Sequence, residues 1–69
     1  MSKLGRIGKE VILEIEDEIY RPSDIAEMDD MQLHMLSSFC EKESHMRFIQ
    51  NNTESESIQI YIDNILMRL

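Results

Sequence analysis

Lys9-Glu10-Val11-Ile12-Leu13-Glu14-Ile15-Glu16-Asp17-Glu18-Ile19-Tyr20 is the stretch on which the fold class turns. At a helical period, Val11, Ile12, Ile15 and Ile19 share a face. At a period of two, Val11, Leu13, Ile15 and Ile19 alternate with Ile12, Glu14, Glu16, Glu18 and Tyr20, as a strand would. Charge placement opposes the helix. Lys3, Arg6 and Lys9 precede it while Glu16, Asp17 and Glu18 end it, the reverse of what the macrodipole favours. Glu10, Glu14 and Glu18 also repel at i, i+4 spacing, by a few tenths of a kcal/mol per pair. A strand, however, needs a partner. The candidate is 57–62, where Ile58, Ile60 and Ile62 alternate with Gln59, Tyr61 and Asp63. A two-stranded ribbon is marginal in water, which tips the reading of 9–20 to helix.

Outward from this stretch, Pro22 ends any preceding helix, and Gln50-Asn51-Asn52-Thr53 forms a second, turn-like break. Between them, 24–50 reads as a long helix. Asp24 and Glu27 resemble a capping box, and Ile25, Met28, Met35, Leu36, Phe39, Cys40, Met46 and Ile49 fall near one side. Asp29-Asp30 offers an alternative start that would leave a short turn and a helix from about 31. A third helix is expected over 54–68, with Thr53 and Glu56 as a capping box and Ile58, Ile62, Ile65, Leu66 and Leu69 as its stripe. Gly5 and Gly8 make 1–8 a flexible basic lead-in. The expected architecture is therefore a single all-α domain over 9–69, three helices with a long central one, completed by dimerisation. The alternative is α+β with strands at 9–20 and 57–62.

At 69 residues, with 42% hydrophobic and 30% charged residues, the chain is bounded to one folded domain. Domains this small seldom stabilise a core by more than a few kcal/mol without a disulfide, a metal or a partner. Cys40 is the lone cysteine, so no internal disulfide forms, and a reducing cytoplasm is the expected compartment. No apolar run is longer than the three residues of Val11-Ile12-Leu13, too short for a membrane span or a secretory leader.

The formal charge is −7. Residues 10–30 hold nine acids against Arg21 alone, whereas 1–9 hold three bases and no acid. Such a body repels phosphate backbones and disfavours direct nucleic-acid binding. A DNA-reading helix-turn-helix beginning at Ser23-Asp24-Ile25-Ala26 is disfavoured too, because 29–40 contain no Lys or Arg.

Few constellations suggest chemistry. His34, Cys40 and His45 are metal-ligand types, but eleven residues along one helix separate the histidines by roughly 16 Å. They read as surface or boundary imidazoles beside a core thiol, with no metal. Cys40 lies among Leu36 and Phe39, surroundings that raise a thiol pKa rather than activate it. Glu41 and His45 read as a solvated pair. The chain has no Gly-rich phosphate loop and no calcium-loop spacing, so no cofactor is expected and the chain reads as a non-enzyme.

Methionine is the remaining signal. Met28, Met31, Met35 and Met46 crowd the middle segment, and Met31, Leu33 and Phe48 fall outside its main stripe. A helix apolar on more than one side must bury a second face, and flexible thioethers make adaptable binding surfaces. The expected function is a small acidic regulatory or protein–protein interaction module that docks through Met28, Met31, Leu33, Met35 and Phe48. Its partner would be a protein with a basic surface, with no nucleic acid and no membrane. The alternative is a nucleic-acid mimic whose acidic face, Glu10, Glu14, Glu16, Asp17, Glu18, Asp24, Glu27, Asp29 and Asp30, occupies the groove of a DNA- or RNA-binding protein.

Overall fold

The computed structural model describes residues 2–68. It is α+β, and this overturns the all-α expectation. Three strands come first, β1 (Ser2–Ile7), β2 (Glu10–Ile15) and β3 (Glu18–Tyr20). Four helices follow, α1 (Pro22–Glu27), α2 (Asp30–Ser38), α3 (Glu43–Asn52) and α4 (Glu56–Met67). The strands form an antiparallel meander in the order β1-β2-β3. The alternation in 9–20 is thus the true period. Its partner is not 57–62, which is helical, but the glycine-bearing stretch 2–7 expected to be a lead-in.

Two-residue turns fix the register. Ile7 pairs with Glu10 across Gly8-Lys9, and Gly8 has φ +63°. A glycine with positive φ at the first central position is what a type II′ hairpin requires. Ile15 pairs with Glu18 across Glu16-Asp17, whose φ values are +50° and +67°. Two positive φ values define the type I′ turn, which normally selects Asn-Gly. Each side chain forced into that region costs roughly 1 kcal/mol. We expect Asp17→Gly to stabilise the protein by about 0.5–1 kcal/mol in urea denaturation. A loss of stability would mean that the Asp17 carboxylate does more for the fold than its backbone strain takes away.

The register places Leu13 and Ile15 on the inner face with Leu4, Val11 and Tyr20. Leu13 and Ile15 join Ile25, Leu33, Leu36, Cys40, Phe48, Ile49, Ile58 and Ile62 in one core. On the outer face Ile12 is still buried, although it stands outside that cluster. It pairs with Gly5, and its Cδ1 lies 3.4 Å from where a Gly5 Cβ would sit, so the side chain lies across the glycine.

The long helix expected over 24–50 is three helices. Pro22 opens α1 at its first turn instead of standing outside it, and Asp24 caps backward by accepting from Arg21 N–H (2.9 Å). Asp29 is the N-cap of α2. It accepts from Gln32 N–H (2.8 Å), while Gln32 Oε1 accepts from Asp29 N–H (3.2 Å). The second break, at 39–42, contains neither glycine nor proline. The helix α4 matches its expected span closely, but Ser55, not Thr53, is its N-cap; buried Thr53 ends α3 and accepts from Ser55 N–H.

Candidate functional site

Breaking the middle segment changes which side chains face outward. Leu33 is fully enclosed and Phe48 is buried. Both are core residues, so they leave the docking surface expected from the sequence. Met28 is half-buried, whereas Met31 and Met35 are 74% and 61% exposed. Of these three, Met28 and Met35 line a common groove of about 680 Å³, and Met31 stands outside it.

The groove runs between the β2–β3 hairpin and α2. Ile15 and Leu36, both buried, form its base, with half-buried Tyr20 and Met28 beside them. Ile19, Met35 and Phe39 are its exposed apolar walls. Glu16, Glu18, Asp24 and Glu27 complete the lining with Gln32, and no lysine or arginine is among the lining residues. The strained type I′ turn is what carries Glu16 to this wall. Asp24 also spends its Oδ2 on the Arg21 amide, so its orientation is fixed by the α1 cap.

The acidic face expected from the sequence is divided by the strand alternation. Glu10 and Glu14 are on the outer face of the sheet, where Glu14 pairs with Lys3 at 3.0 Å. Glu18 is on the inner face, Glu16 and Asp17 form the turn, and Asp29 is engaged in capping with Asp30 in the first turn of α2. Glu16, Glu18, Asp24 and Glu27 reach the groove; Glu10, Glu14, Asp17, Asp29 and Asp30 do not.

The histidines are also separated. His34 is exposed and its ring meets Tyr61 edge-on, with centroids 4.2 Å apart. His45 is buried rather than solvated, and the α3 N-cap at Lys42 leaves Glu41 outside the helix. Its Nδ1 lies 2.6 Å from Ser2 Oγ, and that hydroxyl also accepts from Glu41 N–H at 3.2 Å. This joint ties β1 to α3 across 43 positions of sequence, a span no local pattern reveals. Burial holds the His45 pKa below its ordinary value, with Lys42 acting in the same sense and Glu41 opposing. Burial pushes the Cys40 thiol up to about 11, which suits a core residue and not a nucleophile.

Among the described residues no three His, Cys, Asp or Glu side chains gather as a metal site, and no helix is long and apolar enough to cross a membrane. Comparison with protein-family models, curated proteins and solved structures gave no match.

Proposed function

We propose that the protein is a non-enzymatic interaction module that docks a basic, partly apolar segment of another protein in the groove between the β2–β3 hairpin and α2. The observation that supports this is the groove lining itself: apolar base and walls, carboxylates from three different elements, and no cation among the lining residues. Apolar contact supplies attraction, while Glu18 and Glu27 select for lysine or arginine and speed encounter. A chain with one cysteine suits a reducing cytoplasm, where such a partner would be met.

The test is titration of a labelled lysine–leucine peptide into the protein. Glu18→Lys combined with Glu27→Lys should weaken binding at least about tenfold, and so should Phe39→Ala. Met31→Ala should leave affinity unchanged, since Met31 lies outside the groove. Equal sensitivity to Met31 would relocate the docking surface to the outer face of α2 and sink the groove assignment.

A further inference from the structure

Three successive residues of β3 (Glu18, Ile19 and Tyr20) line the groove. Successive strand residues point to opposite faces of a sheet. A groove lined by all three meets the strand along its edge, and β3 is an edge strand. The register says which backbone groups that edge offers. A two-residue turn is closed by a hydrogen-bonded pair, here Ile15 and Glu18, and bonded and non-bonded pairs then alternate. Glu14 and Ile19 form the non-bonded pair, so the Ile19 N–H and C=O point away from β2, along the edge of a residue that lines the groove. The next outward group, Arg21 N–H, is already taken by Asp24, and Arg21 O accepts from the Asp24 and Ile25 amides.

Resting on the docking reading above, we propose that the groove takes its basic partner as an extended strand, added to β3 through the Ile19 main chain. Any occupant that covers the groove removes water from the Ile19 amide and carbonyl. A helix has its own backbone bonds satisfied internally and would leave both groups unpaired, whereas a strand returns one acceptor and one donor to them. The pairing is short because the α1 cap consumes the backbone at Arg21. Selection therefore falls to the inward-facing side chains of the added strand, which meet Met28, Met35 and Phe39 together with Glu18 and Glu27.

Two synthetic peptides of about fourteen residues, equal in lysine and leucine content, separate the outcomes. One alternates the residues at a period of two; the other repeats them at 3.5. The alternating peptide should bind more tightly and slow exchange of the Ile19 amide at least about tenfold. Ile19→Pro removes only an outward donor, which edge strands tolerate, and should weaken that binding at least about tenfold, while Ile19→Val retains it. Should Ile19→Pro fail to fold, the exchange measurement on the unsubstituted chain decides alone. Tighter binding of the helical-period peptide, with Ile19 exchange unchanged, overturns strand addition but keeps the docking reading. No binding of either peptide overturns both.

Discussion

Leu33→Ala is expected to destabilise the protein by about 3 kcal/mol in chemical denaturation, whereas Met31→Ala, two positions away, should change stability by less than about 0.5 kcal/mol. Leu33 is fully enclosed within the core and Met31 is 74% exposed. Truncating an enclosed leucine removes its transfer free energy and leaves a cavity that a tightly packed interior closes only in part. At roughly 0.05–0.15 kcal/mol per residue, a chain of this size has a total stability of about 3–10 kcal/mol. The loss is therefore a large share of the whole, and Leu33→Ala should show a visibly unfolded fraction at moderate urea. Were the two variants equally stable, Leu33 would not be enclosed, and the sequence expectation that placed it with Met31 on one docking face would return.

The difference between those two residues also marks where sequence reasoning reached its limit. On one continuous helix over 24–50, Leu33 and Phe48 lie off the main apolar stripe and look available to a partner. Once the axis turns at 28–29 and again at 39–42, each short helix has its own inward direction, and both residues face the core. The first turn was legible, because Asp29 with Gln32 forms a capping pair. The second was not, because Phe39-Cys40-Glu41-Lys42 has no residue with a strong helix-stopping preference. The sheet was half legible. The alternation of Leu13 and Ile15 with acidic neighbours was visible, but the type I′ turn is built from Glu16-Asp17 in place of the usual Asn-Gly, so nothing local announced a hairpin. β1 was hidden by Gly5 within it and Gly8 just after it. Ile12 lies over Gly5, a contact seen once the strands are paired.

The groove follows the same logic. Met28 and Met35 were identifiable from composition and spacing, since they lie in one segment. That Glu18 and Ile19 form the opposite wall depends on how the hairpin packs against α1 and α2, which no local period encodes. The charge imbalance of residues 10–30 was plain, but strand alternation decides which of those acids reach the groove and which stay on the outer face of the sheet.

Stability should fall as pH drops below about 6.5, and His45→Asn should remove much of that dependence. His45 is buried, and desolvation with nearby Lys42 holds its folded pKa below the unfolded value of 6.5. The unfolded chain therefore binds the proton at a higher pH than the folded one. The associated stability is complete above 6.5, is lost progressively as pH falls toward and through the folded pKa, and stops changing below it. The structural consequence is local. A neutral ring can accept at Nδ1 from Ser2 Oγ, whereas the protonated ring must donate there and carries its charge in a buried site near Lys42. Protonation should thus loosen the joint between β1 and α3 before the rest of the fold yields, and amide exchange along β1 should accelerate ahead of global unfolding. His45→Asn should be less stable than the unsubstituted chain at pH 7.5 and should approach it as pH falls below the folded His45 pKa. Parallel pH–stability curves for the two proteins would sink the assignment of this transition to His45. The carboxylate of Asp63, held below its ordinary range by hydrogen bonds to Gln50 and Arg47, would then be the group to replace next.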